Sequence, residues 1–284
     1  MKEILSKLPK QTWFEVCELY QWQGSWYFAP HLEAMFTAQL LFEARDDDII
    51  IATLPKTGTT WLKSLIPYIV EGSKYEDDDD DPFLKDSPQF VVKTLEINVF
   101  RGNQNPDLSM QDCLLSLARN PKDVFVSSWH FMNKVMRPME SPYPIEKAFE
   151  SFCNGVQIFG PYFDHVLKYW NESLKVREKI LFLKYEEMKR NPKGEVEKLA
   201  SFIGRPFANN VEIENVLQKS SFERLKNLDV NKTGFVRHGG PPNSSFFRLG
   251  TIGDWKNYFT PDMQERLDHI ATLKLEGSGL DLDI

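Results

Sequence analysis

The sequence predicts a single α/β domain with a central parallel sheet flanked by helices, and three observations carry that reading. Ile49 to Leu54, Cys113 to Leu117 and Ile180 to Leu183 are short, almost uninterrupted apolar runs, the pattern of strands buried on both faces. Each run is followed by a turn and then by residues with helical periodicity, and strand alternating with helix implies a parallel sheet covered on both sides. No internal repeat or linker divides the 284 residues. The whole chain, 1–284, therefore reads as one domain.

The elements follow in order. Leu5 to Arg45 reads as a helical, aromatic-rich part, residues 1–45, packing on the domain. Asp46-Asp47-Asp48 leads into the first strand, and Pro55 ends it. Thr59 or Thr60 can cap the helix that continues through Trp61, Leu62 and Leu65. Glu76 to Asp81 is an acidic run that reads as a solvated loop, with a metal site as the other reading. Cys113 to Leu117 is the second strand, Arg119-Asn120-Pro121 its turn, and Lys122 to Val135 its helix. A helix around His165 to Leu174 precedes the third strand, which ends at Lys184-Tyr185-Glu186. Helices at Lys193 to Ile203, around Ile213 to Leu225, and at Pro261 to Leu275 complete the pattern. Asn231 to Ser245, rich in Gly, Pro and Asn, reads as a long functional loop.

Composition narrows the function. With 34 Lys and Arg against 41 Asp and Glu, the net charge is −7. Such a chain lacks the basic face that nucleic acid requires. The three cysteines, Cys17, Cys113 and Cys153, are far apart and odd in number, so no disulfide framework or metal spacing follows. A reducing, cytoplasmic compartment is the simplest expectation. The N-terminus has no apolar stretch of signal-peptide length, and the longest apolar runs are too short to span a bilayer.

Leu54-Pro55-Lys56-Thr57-Gly58-Thr59-Thr60-Trp61 lies between a buried strand and a helix start. Free amide groups and the positive end of the helix dipole make this a place where anions bind. Gly58 lets the backbone approach closely, Thr59 and Thr60 add hydroxyls, and Lys56 adds charge. It is not a Walker A loop, because its lysine precedes the only glycine.

Three separated stretches now resemble one family, the cytosolic sulfotransferases that use 3′-phosphoadenosine-5′-phosphosulfate (PAPS). They are Pro55-Lys56-Thr57-Gly58-Thr59-Thr60-Trp61, Arg119-Asn120-Pro121-Lys122-Asp123-Val124 with Ser127 and Ser128, and Arg248-Leu249-Gly250-Thr251-Ile252-Gly253-Asp254-Trp255-Lys256. The similarity runs from about Leu8 to Leu280, with the plant branch nearest in wording at Trp129-His130-Phe131 and Lys232 to Arg248. The resemblance implies a P-loop-like, PAPS-binding sulfotransferase fold. It implies that Lys56 stabilises the leaving phosphate and that Thr57, Gly58, Thr59, Thr60 and Trp61 hold the 5′-phosphate. Arg119 and Ser127 would bind the 3′-phosphate, with Ser127 also restraining Lys56 until acceptor arrives. Tyr185, Ser220, Ser221 and Phe222 would line the adenine pocket, and Arg248, Leu249 and Gly250 would complete the 3′-phosphate clamp. PAPS is then the co-substrate, with no metal required. The partner is a small hydroxylated acceptor of the flavonoid, steroid or hydroxylated-hormone class, not nucleic acid or membrane. Lys256 to Thr260, with Glu265, resembles a short dimer motif in which Pro261 replaces the usual Val, so a monomer or weak homodimer is expected.

Two departures qualify this. Relatives place their general-base histidine in a Thr-His-[Leu/Ile/Phe]-Pro strand before the Arg119 strand. None of the five histidines, His31, His130, His165, His238 and His269, sits in that motif, and Asn105 to Cys113 is too short to hold the strand and its connector. A misspliced message or wrong gene model would explain this, as would a disordered segment dropped from the sequence, or a catalytically impaired paralogue that binds PAPS or its product 3′-phosphoadenosine 5′-phosphate (PAP). His238, in the long loop, is the histidine placed to stand in, and His130 reads as structural. Leu249 replaces the usual Lys of Arg-Lys-Gly, which predicts weaker cofactor affinity. Acceptor-pocket residues are expected from Trp22, Trp26 and Phe28, from the Trp129-His130-Phe131 region, and from the Asn231 to Ser245 loop. A P-loop kinase is the remaining reading, opposed by the lysine position.

Overall fold

The computed structural model describes residues 2–43, 48–75, 78–100, 112–236 and 240–284. The junction at 105–111, the stand-in base His238, and Asp46, Asp47, Glu76 and Asp77 lie outside the described residues.

The N-terminal part differs from expectation. Instead of a helix, β1 (Lys10–Trp13), β2 (Cys17–Trp22) and β3 (Ser25–Tyr27) form an antiparallel ribbon in the order β1-β2-β3. The register pairs Trp13 with Cys17 and Trp22 with Ser25. The turns between strands need left-handed backbone, supplied by Phe14 (φ 53°), Glu15 (φ 58°), Gln23 (φ 48°) and Gly24 (φ 82°). Only then does α1 (Ala29–Leu41) begin, with Pro30 in its first turn. Proline fits there because its missing N–H has no helical partner anyway.

The predicted strand–helix units are present. β4 (Asp48–Ile51) leads to α2 (Thr59–Val70), and β5 (Asp112–Ala118) leads to α3 (Pro121–Met136). After α4 (Ile145–Cys153) and α5 (Tyr162–Lys175) comes β6 (Ile180–Lys184). A short helix, Tyr185–Arg190, then turns the chain into α6 (Pro192–Phe202). The helix expected around Ile213 to Leu225 is broken into α7 (Asn210–Lys219) and α8 (Phe222–Asn227). Ser221 breaks it, because its hydroxyl accepts the Arg224 N–H and caps a new helix. The long loop contains a helical turn at Asp229–Thr233, a bridge from Phe235 to Pro242 and a 3₁₀ turn at Asn243–Phe246. α9 (Pro261–Leu275) closes the domain.

Strands β4, β5 and β6 form one parallel sheet with β5 in the middle. Side-chain alternation splits the core across this sheet. Leu115, Leu117, Leu181 and Leu183 face α2, α6 and α7, packing with Leu62, Leu65, Val196 and Val216. Ala118 and Phe182 face the other way, toward Val124, Phe163, Leu267 and the Trp13–Trp26 side of the ribbon. Leu62, Leu65, Leu115 and Leu183 are fully buried; each such leucine contributes about 1.5–3 kcal/mol of transfer free energy. The two packed faces hold the three strand ends, and so the loops that follow them, in fixed relation.

Candidate active site

The carboxyl ends of β4, β5 and β6 open onto a cleft of about 1920 Å³. Every residue expected at the cofactor site lines it except Thr57. Thr57 is fully buried, and its hydroxyl donates to the Leu54 carbonyl at 2.8 Å. Its side chain therefore shapes the loop from behind. Thr59 also leans on that carbonyl, at 3.2 Å, and shares a 2.7 Å hydrogen bond with Thr53. Thr60 accepts from Gln89 Nε2 at 2.9 Å.

Gly58 is required on two grounds. Its φ of 118° is disallowed for most side chains, and a Cβ there would lie 2.7 Å from Leu117 Cδ2 and 2.8 Å from Tyr185 Cδ2. Gly58 carries no side-chain cap for α2. The Gly58, Thr59 and Thr60 amides bond no described group, so the first turn presents donors to the cleft.

Lys56 sits at the head of this loop with φ 71°, a left-handed conformation that a non-glycine residue adopts at a cost of about 1–3 kcal/mol. Arg119 Nη1 holds the Lys56 carbonyl at 3.2 Å. The ammonium lies 4.4 Å from the Phe131 ring centre and 5.8 Å from that of Phe246. Burial, aided by the positive charges of Arg119, Arg248 and Lys134, pushes Lys56 down to about 7. The amine is thus poised to gain a proton when negative charge arrives.

Arg119 is fixed from several sides. Nη2 donates to the Thr251 carbonyl at 2.7 Å, Asp123 Oδ2 is 3.6 Å away, and the guanidinium stacks 4.5 Å above the Tyr185 ring. Arg248 donates through Nη1 to Asp254 Oδ2 at 2.5 Å. On each arginine the Nε–H is buried without a partner. A buried donor left unmade costs about 1–3 kcal/mol, so the pair fits an anion with several oxygens. Ser127 lines the same cleft from α3. Tyr185 donates to the Gly250 carbonyl at 3.1 Å and stands edge-on to Trp61. Ser220 is turned inward, its hydroxyl donating to Val216 O at 2.6 Å. Gly250 lies against Phe222, whose ring a Cβ would approach to 2.7 Å. Leu249 is 45% exposed.

Asp123 was not singled out from the sequence, yet it joins two of the three motifs. Its carboxylate accepts from the Gly253 N–H at 2.7 Å and from Trp255 N–H at 3.1 Å. Its spacing of four from Arg119 on a helix start was the available signal.

At the other end of the cleft, Trp22, Phe28, Phe131, Val236, Gly240 and Pro241 form part of the wall. Trp26, Trp129 and His130 do not line it, contrary to expectation. Trp26 is buried in the core. Trp129 donates to the Tyr143 carbonyl at 2.8 Å. His130 packs between Trp129 and Tyr258. Two other histidines, His31 and His165, do line the cleft. His165 is bonded to the Ala52 carbonyl, and burial pushes it down to about 4, so it is neutral at pH 7. Its Nε2 is buried without a partner. The acidic run is also not uniformly solvated: Asp81 is fully buried. Among the described residues, no group of His, Cys, Asp or Glu could hold a metal ion, and no helix is long and apolar enough to cross a membrane.

Comparison with known proteins agrees with this geometry. The family model "Sulfotransferase domain" matches residues 46–279. Cytosolic sulfotransferase 5 of Arabidopsis thaliana is 38% identical over 308 residues, covering 98% of this chain and 95% of that protein. A flavonol sulfotransferase-like protein of Flaveria bidentis is 39% identical over 307 residues, covering 99% of each. Both alignments are longer than the 284-residue chain, so these relatives carry segments without a counterpart here. Among solved structures, an Arabidopsis thaliana putative steroid sulphotransferase superposes with a TM-score of 0.73 at 30% identity, over 98% of this chain and 94% of that one. Mouse sulfotransferase SULT7A1 complexed with PAP gives 0.68 at 26% identity, over 92% and 95%.

Proposed function

The chain belongs to the sulfotransferase family and is a PAPS-dependent sulfotransferase, and from that premise we propose that it transfers the sulfuryl group to a hydroxyl of a small organic acceptor in the cytosol. The observation that carries this reading is the convergence of Lys56, Arg119 and Arg248 on one cleft at the α2 N-terminus, with a buried, unpartnered Nε–H on each arginine. PAP in complex with the mouse relative supports PAPS as the co-substrate.

In the proposed reaction the acceptor oxygen attacks sulfur in line, and the bond from sulfur to the 5′-phosphate oxygen breaks. Charge then grows on the leaving phosphate. Lys56, protonated by the approach of that charge, stabilises it together with the first-turn amides of α2. Arg119, Arg248 and Ser127 hold the 3′-phosphate, and Tyr185, Ser221 and Phe222 line the adenine pocket, with Trp61 edge-on to Tyr185 where the 5′-phosphate loop meets it. The acceptor's proton must leave. No histidine occupies the family's base motif, so the acceptors served best are phenols acidic enough to lose a proton to water, as flavonoids are. The name of the Flaveria bidentis relative, flavonol sulfotransferase-like, supports a phenolic acceptor, and that of the Arabidopsis thaliana structure, putative steroid sulphotransferase, supports a hydroxylated steroid as the second class. The partly altered dimer motif leaves a monomer or weak homodimer as the expected state.

Calorimetry with PAP, compared with AMP, tests the cofactor half. PAP should bind at least tenfold tighter, because the 3′-phosphate engages two arginines. Transfer of labelled sulfate from PAPS to a panel of phenols and aliphatic alcohols tests the rest. PAP binding without transfer to any acceptor would favour a second reading, a nucleotide-binding paralogue with impaired turnover, which the missing base motif motivates. Equal binding of PAP and AMP would remove both.

A further inference from the structure

The last residue of the acidic run, Asp81, is fully buried behind the cleft and absent from its wall. Asp81 accepts hydrogen bonds from the Tyr68 hydroxyl at 2.8 and 2.9 Å, from the Phe83 N–H at 2.9 Å and from Arg224 Nη2 at 2.5 Å. Arg224 Nη1 donates in turn to the Tyr68 hydroxyl at 3.1 Å and to the Lys219 carbonyl at 2.9 Å. Burial and the Asp81 carboxylate hold the Tyr68 phenol well above its ordinary range, which keeps its proton in the network. One guanidinium therefore ties α2, the acidic segment and the end of α7 together.

The residues between Lys219 and Arg224 include Ser220, Ser221 and Phe222, all on the cleft wall. Arg224 grips both ends of this corner: its side chain holds Lys219, and its own N–H is capped by Ser221 Oγ at 3.3 Å. Phe222 in turn lies flush on Gly250. Asp81, Tyr68 and Arg224 are absent from the wall itself, so any influence on ligand passes through the corner. A buried ion pair contributes little net stability but resists being half removed. That suits a clasp whose purpose is geometry.

Building on the nucleotide reading above, we propose that Asp81 and Arg224 are positioning residues that fix the Ser220–Phe222 corner for the adenine ring. The clasp acts on the base and leaves the phosphate clamps of Lys56, Arg119 and Arg248 untouched. Asp81→Asn keeps the shape of the side chain and removes its charge.

The test compares two ligands on the folded variant by calorimetry: PAP, and ribose 3,5-bisphosphate, which lacks the base. Asp81→Asn should weaken PAP about tenfold and leave the base-free ligand within twofold. Activity should show a raised KM for PAPS at nearly unchanged kcat. Arg224→Lys, which keeps the charge but not the fork, should repeat the ligand-selective loss even if Asp81→Asn does not fold. An unchanged PAP affinity, or equal losses for both ligands, overturns the clasp while the cofactor reading stands. Failure of the unaltered protein to bind PAP overturns both.

Discussion

Raising the pH from 7 to 9 should weaken PAP binding by about fiftyfold, and the reason lies at Lys56. In the free protein its amine is pushed down to about 7, first by burial and then by the charges of Arg119, Arg248 and Lys134. A bound phosphate replaces that repulsion with attraction and raises the amine toward or above its ordinary value of 10.5. The complex then holds one proton more than the separate partners over the window between the two values. The Lys56 contribution to affinity is therefore nearly constant below pH 7 and falls nearly tenfold per unit above it. From pH 7 to 9 the loss is about 2.3 kcal/mol. PAP phosphates are almost fully ionised from pH 7 to 9, and burial raises the nearby Tyr185 phenol above its ordinary value of 10.0. The assay is calorimetry at pH 9 in two buffers of different ionisation enthalpy, which should report close to one proton taken up. Lys56→Arg, charged throughout, should bind with no such uptake and a flat profile. A flat profile in the unaltered protein, or an equal slope in Lys56→Arg, would refute the reasoning.

Three more outcomes follow from other residues. Gly58→Ala forces a Cβ to 2.7 Å from Leu117 at a φ of 118°; a cost of about 1–3 kcal/mol should lower the melting temperature by about 3–10 °C, and an unchanged melt would show the loop to be pliant. Leu249→Lys places an ammonium beside Arg248 on the cleft wall and should tighten PAP about three- to tenfold; equal calorimetric affinity would exclude Leu249 from the clamp. His165, ordinarily near 6.5, is pushed down to about 4 by burial, so the unfolded chain takes up a proton that the folded one refuses. Stability should fall as pH drops from 6.5 toward 4, by up to about 3 kcal/mol, and acid denaturation of His165→Phe should lack that component.

The parts legible in the sequence were those whose signal is local. β4, β5 and β6 announce themselves because a strand buried on both faces has no polar positions to confuse it. The strand-end loops follow because glycine, lysine and arginine at those ends have few other uses. The ribbon was not legible: β1 exposes three of its four residues, so no alternation marks it, and its aromatics read equally well as a helix face. Asp81 was hidden for a different reason. Its place before Pro82 marks it only as a helix cap, and the partners that bury it, Tyr68 and Arg224, lie 13 and 143 residues away. Ser221 was readable in principle, since a serine three residues before Arg224 is a helix cap, but the apolar periodicity of Ile213 to Leu225 ran through it.

The ribbon also bears on how the molecule assembles. One of its ties to the domain is a pairing of Trp26 with Ile158, reinforced by Trp26 N–H to Gly160 O at 3.1 Å and Phe159 N–H to Trp26 O at 2.7 Å; the other runs through Phe14, whose carbonyl accepts from Arg137 Nη1 at 3.3 Å and whose ring packs on Tyr143. Closing a loop of about 130 residues on an unstructured chain costs on the order of 4 kcal/mol in entropy, so this seam cannot form early. During synthesis the ribbon emerges first, yet its partners, from Phe125 and Tyr143 to Ile158, lie more than 100 residues further on. These partners all emerge before β6 (Ile180–Lys184), so the ribbon can dock and bring Trp22 and Phe28 to the opposite wall before the third strand of the sheet exists. The wall that Trp22 and Phe28 supply is therefore built from a part of the chain distant in sequence from the strand ends that carry Lys56, Arg119 and Tyr185, so the two ends of the cleft are set by separate packing.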